Sequence, residues 1–306
     1  MATAGDRVVT VFGGTGFLGR CIVRPLRLHG FCVRVASRHP DRGHVLVGPD
    51  NPQLRSTKVD VRDERSVADA LADAYGAVNA VSLYLERGQE TFHSVHVNAA
   101  QRVAAQAQRS GLKRLIHVSG IGADPRSRSL YIRKRGEGES AVREAFADTI
   151  LIRPAVMFGP DDALLTPILK LLKRLPFFPM FGNGRMRLQP VYVEDVGQAI
   201  AKIMEWEQTG PTMFECGGPR VYSYEDLLRT VARAAGIKPI LLPVTFVAWG
   251  AVAWISEWLP NPPITRNQVE LLQLDSVSMP EMTGLEALGI CPHSVEQILQ
   301  DILRNQ

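Results

Sequence analysis

The stretch "VVTVFGGTGFLGRCIVRPLRLHG", residues 8–30, decides the fold. Val8 to Phe12 is a short β-branched run with the look of a buried strand. Glycines follow at 13, 16 and 19, and then apolar residues at helical spacing that close at Gly30. Glycine spacing alone is weak evidence. Placed between a strand and a helix it is strong, because glycines permit a tight turn and let the backbone approach a pyrophosphate. The helix N-terminus then supplies unpaired N–H groups and a favourable dipole. The plain alternative is a glycine turn with no ligand. The expected ligand is a dinucleotide, held by Gly13, Thr15, Gly16, Phe17, Leu18 and Gly19.

Working outward, "CVRVAS" (32–37), "LRSTKVDV" (54–61), "GAVNAVSL" (76–83), "RLIHVSG" (114–120) and "DTILIRP" (148–154) read as further strands. Helical patterns separate them: 63–76, with Ser66 as a candidate cap; 92–111, closing at Gly111; and 131–146, despite two glycines. Such alternation predicts an α/β fold, a Rossmann-type doubly wound parallel sheet with a smaller, mostly helical C-terminal lobe. Beyond Pro154 the pattern loosens into helices over 163–176, 222–236 and 293–305, with one more strand and helix over 188–206 and Asp195 near that helix's start. The expected domains are 1–159, with 187–206 returning to it, and a lobe of 160–186 and 207–306.

The 306 residues are 45% hydrophobic and 22% charged, which argues against dominant disorder. A net charge of +4 does not by itself indicate nucleic acid, and no reading helix or aromatic interleaving is evident. Cys21, Cys32, Cys216 and Cys291 form no CxxC pair, which favours buried thiols in a reducing compartment. No signal or transit segment is legible ahead of the first strand. The longest apolar run, 244–256, is shorter than the roughly 20 residues a membrane span needs. A cytoplasmic protein is expected, or one held at the inner face of the membrane through a larger complex.

The end of the second strand sets the choice of dinucleotide. NAD sites usually carry Asp or Glu there; this chain has Ser37, Arg38 and His39. Arg38 can pair with a 2′-phosphate, so NADP(H) is expected over NAD(H), the alternative being a solvated surface charge. Asp60 and Val61 end the third strand, where a carboxylate can accept from the adenine amine or else cap a helix. Ala80, Val81 and Ser82, ending the fourth, should line the adenosine side.

The glycine loop at 13–19, Asp60, "VNAA" at 97–100, "HVSG" at 117–120 and "RPAVMFGPDD" at 153–162 together resemble the extended and atypical short-chain dehydrogenase/reductase superfamily. More narrowly, "YIRKRGEGESAVREAF", "LQPVYVEDVGQAI", "PPITRNQVE" and "GLEALGI" are similar to the nucleotide-binding accessory subunit of respiratory complex I, the alpha-subunit-9 family. The resemblance implies an NADP(H)-binding fold, a subunit that holds its nucleotide without a known turnover reaction, complex I partners, and backbone contact with the nicotinamide end at Pro154. The family's eukaryotic members carry a targeting presequence; none is legible here, which suggests a bacterial relative.

Catalytic members of that superfamily pass a proton through a tyrosine whose pKa a lysine one helical turn on lowers, while a serine polarises the carbonyl. Ser119 and Tyr131 fill two of these places. Arg135 fills the third by charge alone, and an arginine does not release its proton. Lys134 is rotated roughly 100° from Arg135 around the helix. Three readings follow: a nucleotide-holding site with weak or no turnover; an active NADP-dependent oxidoreductase or epimerase on a small or lipidic substrate; and a redox-sensing regulator.

Arg126, Arg128, Arg133, Lys134 and Arg135 fall within ten residues. They read either as a solvated face or as contacts for an anionic partner. Residues 244–259 carry Trp249, Trp254 and Trp258 off any single narrow helical face. The segment is therefore either core or a docking and peripheral membrane-contact surface. His93 and His96 lack further metal ligands in sequence and read as core or surface histidines; Asp161 and Asp162 read as capping or solvated.

Overall fold

The computed structural model describes residues 7–41, 53–162, 164–206, 210–259 and 262–304. The approach to the first strand over residues 1–6, on which the leader reading partly rests, and Ala163 of the 163–176 helix lie outside them.

In chain order the elements are β1 (Val8–Phe12), α1 (Phe17–Leu28), β2 (Cys32–Ser37), β3 (Leu54–Lys58), α2 (Glu64–Leu71) and β4 (Gly76–Asn79). A π-helical segment, His93–Ala99, then runs into α3 (Ala100–Arg109), followed by β5 (Arg114–Val118), α4 (Leu130–Ala145), β6 (Ile150–Pro154) and β7 (Met157–Phe158). Next come α5 (Leu165–Arg174), β8 (Phe177–Phe181), β9 (Arg187–Leu188), β10 (Val191–Tyr192), α6 (Val193–Glu205), β11 (Met213–Cys216) and β12 (Tyr222–Ser223). The chain finishes with α7 (Tyr224–Ala234), β13 (Ile240–Val244), α8 (Phe246–Ser256), α9 (Arg266–Leu271) and α10 (Val295–Arg304).

Two compact units divide these elements. The first comprises 1–154, 193–216 and 280–291. Seven parallel strands form its sheet, in the order β11-β6-β5-β4-β1-β2-β3. This is the doubly wound Rossmann-type architecture that the alternation of strands and helices predicts. β1 is central, so its side chains are covered on both faces, and Val9, Val11 and Phe12 are fully buried. α2, α3 and α4 bury Val67, Leu71, Val103, Ala107 and Val142 in one core on the sheet. α1 and α6 approach closely: a Cβ on Gly197 would lie 2.1 Å from the Cys21 carbonyl oxygen.

The second unit comprises 155–192, 217–279 and 292–306. Its core gathers Phe158, Leu169, Tyr224, Leu228 and Leu299. β8 and β13 form a parallel two-stranded ribbon there. Residues 155–159 and 187–192 thus fall in the second unit, and 210–216 and 280–291 in the first.

Several local expectations need correction. Asp63, not Ser66, caps α2, its carboxylate accepting from the Arg65 and Ser66 amides. Ser66 lies inside the helix, and its hydroxyl accepts from the Asp60 amide. Of the four cysteines, expected to be buried, only Cys216 is; Cys21 and Cys32 are half-buried and Cys291 is exposed. The glycines in α4 are places of close approach. A Cβ on Gly136 would lie 2.4 Å from the Pro125 nitrogen, and one on Gly138 2.0 Å from the His96 carbonyl oxygen. Glycine costs about 1 kcal/mol in a helix interior, a cost that here lets α4 seat directly on the π-helical turn.

Candidate functional site

The order of the strands reverses at β1, which has β2 on one side and β4 on the other. At such a point a crevice opens beyond the strands' carboxyl ends. The Gly13 amide bonds to the Ala36 carbonyl at 3.0 Å, and the Ala80 amide bonds to the Phe12 carbonyl at 3.0 Å. Gly13 has φ +76°, and a Cβ there would meet the Ala80 oxygen at 3.0 Å. At Gly19 a Cβ would lie 2.2 Å from the Gly13 oxygen. The turn is therefore closed to side chains at both positions. Gly16 caps α1 and brings no side-chain acceptor, and the first turn holds no acid. The leading amides of α1 thus keep their affinity for an anion. Of the other loop residues, Thr15 and Phe17 are half-buried and Leu18 is buried.

Two buried hydroxyls lie at strand ends of the same sheet. Ser37 Oγ ends β2 and Ser119 Oγ follows β5, and neither has a hydrogen-bond partner among the described residues. A buried hydroxyl left unpaired is uncommon, costs on the order of 1–3 kcal/mol, and is satisfied when a polar ligand reaches it. The bare turn and these two hydroxyls fit a pyrophosphate-bearing dinucleotide.

The end of β2 is more crowded with charge than the sequence suggests. β2 ends without a carboxylate, yet Glu90, more than fifty residues on, pairs with Arg38. Arg62 lies 3.9 Å from the same carboxylate and grips Asp60 in a fork, with Nη2 to Oδ2 at 2.7 Å and Nε to Oδ1 at 3.1 Å. That hydrogen bonding, assisted by Arg38, holds the Asp60 carboxyl below the usual range. Beside it opens a polar cavity of about 350 Å³ lined by Asp60, Arg62, Gln89, Ser94, Asn98 and Arg102, among others. Arg102 donates to the Val61 carbonyl at 3.1 Å, tying α3 to the turn after β3, which ends at Lys58, so that Asp60 and Val61 follow the strand instead of ending it. Arg62 and Glu90 escape a reading of strand ends. Arg62 follows Asp60 by two residues, which is the one sequence signal for it; Glu90 has none.

The tyrosine end is an aromatic cage. Tyr131, in the first turn of α4, is buried. It stacks on Tyr84 at 5.8 Å and meets Phe92 and His96 edge-on at 5.4 and 5.5 Å. Its hydroxyl accepts from Arg135 Nη1 at 2.8 Å, with Ser82 and Tyr84 close by. Burial pushes the phenol's pKa up, and the Arg135 charge opposes that rise. Arg135 also lies over the end of β5, where a Cβ on Gly120 would be 2.9 Å from its Nη1. Ser82, Tyr131 and Arg135 therefore meet, and Arg135 reaches the backbone beside Ser119. Pro154 closes the same edge, its carbonyl accepting from the Ile121 amide at 3.1 Å.

Lys134 does not join them: its Nζ sits 2.6 Å from Glu137. Arg133 also points toward Glu137, at 4.0 Å, and Arg126 toward Asp124, at 3.7 Å. The basic run is thus partly neutralised by acids outside it. His93 is half-exposed, near Glu137, while His96 is buried and bonds the Leu83 carbonyl at 3.0 Å. His117, at the end of β5, is fully enclosed, with Nδ1 3.3 Å from Asn79 Nδ2, which makes Nδ1 the acceptor. Desolvation, reinforced by Arg135, pushes both histidines down to about 3, so both are neutral at pH 7.

A buried ion triad braces this edge of the sheet. Arg153 on β6 forks onto Glu139 of α4 at 2.6 and 2.9 Å and reaches Glu215 of β11 at 3.5 Å.

Comparison with known proteins points to an NAD(P)-binding fold. A family model described as NAD(P)H-binding matches residues 13–163. NADH dehydrogenase (ubiquinone) 1 alpha subcomplex subunit 9, mitochondrial, from Arabidopsis thaliana is 30% identical over 94% of this chain and 75% of its own. The Rattus norvegicus protein of the same name is 31% identical over 97% and 80%. A ceramide reductase of Caulobacter vibrioides is 29% identical over 79% of this chain and 75% of its own. Among solved structures, DesIV, a dTDP-glucose 4,6-dehydratase from Streptomyces venezuelae with NAD bound, superimposes with a TM-score of 0.73. It is 18% identical over 97% of this chain and 96% of that one, a likeness of fold.

Proposed function

The chain belongs to the family of NADH dehydrogenase (ubiquinone) 1 alpha subcomplex subunit 9, and from that premise we propose that it holds NADP(H) as an accessory subunit or assembly factor of respiratory complex I, with weak or no turnover. The glycine turn and the first amides of α1 take the pyrophosphate. Ser37, Arg38 and Arg62 take the adenosine phosphate, with Asp60 and Val61 beside the adenine and Ala80, Val81 and Ser82 along the adenosine. Ser119, Tyr131 and Pro154 border the nicotinamide, which when bound supplies hydride.

One observation carries the inactive reading. The cation on the Tyr131 hydroxyl is Arg135, at 2.8 Å, while Lys134 is spent on Glu137 at 2.6 Å. Arginine can hold and orient the phenol but cannot pass on a proton. The fork that replaces an ammonium suits a site that clamps. The test is to denature purified protein and identify the released nucleotide by mass spectrometry, then challenge the intact protein with NADPH and a ketone panel. About one phosphorylated dinucleotide per chain and no stereospecific hydride loss is the expected result. An empty or NAD-filled pocket, or robust turnover abolished in Tyr131→Phe, overturns it.

A second reading, an NADP-dependent oxidoreductase or epimerase on a small or lipidic substrate, draws on Ser119. Its buried hydroxyl has no partner among the described residues and stands where a substrate carbonyl would be polarised. The similarity to a ceramide reductase supports the lipidic option.

A further inference from the structure

The second unit exposes an apolar surface that the nucleotide reading does not use. Thr245 caps α8 through the Ala248 amide at 3.3 Å, and the helix that follows, "FVAWGAVAWIS", carries no charge. Trp249 turns inward, packing at a tilt against Phe181 with ring centroids 4.3 Å apart and donating Nε1 to the Met180 carbonyl at 3.3 Å. Trp254 and Trp258 turn outward, 54% and 80% exposed, and meet edge-on at 6.3 Å. Val247, Val252, Ile255 and Leu259 are exposed with them. The ribbon that leads into α8 repeats the pattern. Phe178 and Met180 face the core, whereas Phe177, Ile240 and Leu242 face outward.

Charge is distributed just as unevenly. Residues 163–192 and 227–256 contain no Asp or Glu and carry eight Lys or Arg. Arg187 and Arg229 pair with Asp275 and Glu225. Lys170, Lys173, Arg174, Arg185, Arg233 and Lys238 are exposed, with no ion-pair partner among the described residues. Lys173, Arg174 and Lys238 immediately precede the two ribbon strands, and Arg185 lies three residues past Gly182, against which Phe246 packs. Unpaired cations thus bracket outward tryptophans and aliphatics.

We propose that α8 and the β8–β13 ribbon rest on a lipid bilayer bearing anionic headgroups. Trp254, Trp258 and Ile255 enter the headgroup–acyl boundary, and Lys173, Arg174, Arg185 and Lys238 contact phosphates. An uncharged helix with tryptophans at one end suits that boundary; the acid between the two tryptophans, Glu257, is paired with Arg266 at 2.8 Å, and the acid-free stretches on the ribbon side remove repulsion an anionic surface would otherwise meet. No helix among the described residues is long and apolar enough to cross a membrane, so the contact is lateral. This surface is independent of the nucleotide site.

The experiment uses the full chain with sucrose-loaded phosphatidylcholine vesicles, with and without about one-third phosphatidylglycerol, read by sedimentation and tryptophan emission. Wild type should sediment with the anionic vesicles, at least tenfold more strongly than with neutral ones, and its emission should shift to the blue. Trp254→Ser/Trp258→Ser should lose roughly tenfold or more of that partition, and Lys173→Gln/Arg174→Gln/Lys238→Gln should lose the preference for anionic lipid. Both variants should retain wild-type melting behaviour. Absent vesicle binding overturns the proposal, as does binding that neither variant changes. So does a tryptophan variant that still binds vesicles but no longer co-migrates with other subunits, which would make the surface a protein interface.

Discussion

The pairing of Arg38 with Glu90 makes a quantitative prediction about nucleotide choice. Without a 2′-phosphate, Arg38 is occupied by a carboxylate, and Arg62 divides itself between Asp60 and that same Glu90. On the proposed assignment a 2′-phosphate, which carries more charge than a carboxylate and can accept from both guanidinium forks, would displace Glu90. Arg38 is 54% exposed on its side chain, so the gain is that of a screened, charge-assisted bond, about 1.5–3 kcal/mol. Arg38→Ala should therefore weaken NADPH roughly 10- to 150-fold and leave NADH within about threefold. Glu90→Gln removes the competitor, whose pair with Arg38 is worth no more than about 1 kcal/mol, and should tighten NADPH up to about fivefold. In the double variant the Glu90→Gln gain should vanish, because it acts through Arg38. Isothermal titration with both nucleotides at two salt concentrations measures all of this. Equal loss of NADPH and NADH in Arg38→Ala would refute the assignment of the phosphate to Arg38. Weaker NADPH binding in Glu90→Gln would mean that Glu90 holds a ribose hydroxyl, as an NAD site's carboxylate does.

Arg135→Lys restores a proton-transferring cation four residues after Tyr131; if arginine is what silences the site, NADPH-dependent ketone reduction should rise at least about tenfold, and an unchanged rate would place the block elsewhere. His96 and His117 are held down to about 3 when folded, against about 6.5 unfolded, so below pH 6.5 the unfolded chain binds more protons and stability falls as pH falls toward 3. By pH 5 each contributes a loss of roughly 2 kcal/mol, so urea midpoints at pH 7 and 5 should converge in His117→Asn; an unaltered pH dependence would contradict the burial argument. Arg153→Met leaves Glu139 and Glu215 buried without their cation and should cost about 3–5 kcal/mol, or on the order of 6–20 °C in melting temperature, with most of it recovered when Glu139→Gln and Glu215→Gln are added. No recovery would mean that lost packing, not charge, is the cause.

The sheet was legible because its central strands are short apolar runs bounded by glycine, and that pattern needs nothing from elsewhere in the chain. β11 was not legible. "MFEC" has neither clear alternation nor a helix partner in sequence, and it becomes a strand by pairing with β6, some sixty residues earlier. The glycine turn could be read because its demands are local: Gly13 and Gly19 stand where a Cβ would strike backbone two to three ångströms away. Glu90 could not, since its role exists only when the segment after β4 lies across the end of β2. The same holds for the Arg153 triad, assembled from α4, β6 and β11. For Trp249, Trp254 and Trp258, helical geometry showed that the rings diverge. Which of them faces inward depended on Phe181 and Met180, on a strand that α8 follows only through β13.

The two glycines of α4 connect the aromatic cage to the weak-turnover reading. Because Gly138 admits the His96 carbonyl, the π-helical turn sits hard against α4, and Phe92 and His96 close on Tyr131 from that side. Closure dries the phenol and raises its pKa, the opposite of what a proton donor working near pH 7 needs. A lysine at position 135 would offset part of that rise and could relay the proton. Arg135 offers the charge alone, and spreads it over a fork that also covers Gly120. Restoring the lysine is thus necessary for efficient proton transfer but not sufficient. Arg135→Lys combined with Phe92→Ala, which opens the cage to water, should exceed Arg135→Lys alone in ketone reduction, and Phe92→Ala alone should do little. If Phe92→Ala by itself raised turnover as much as the pair, desolvation would be the whole block, and the arginine would be incidental.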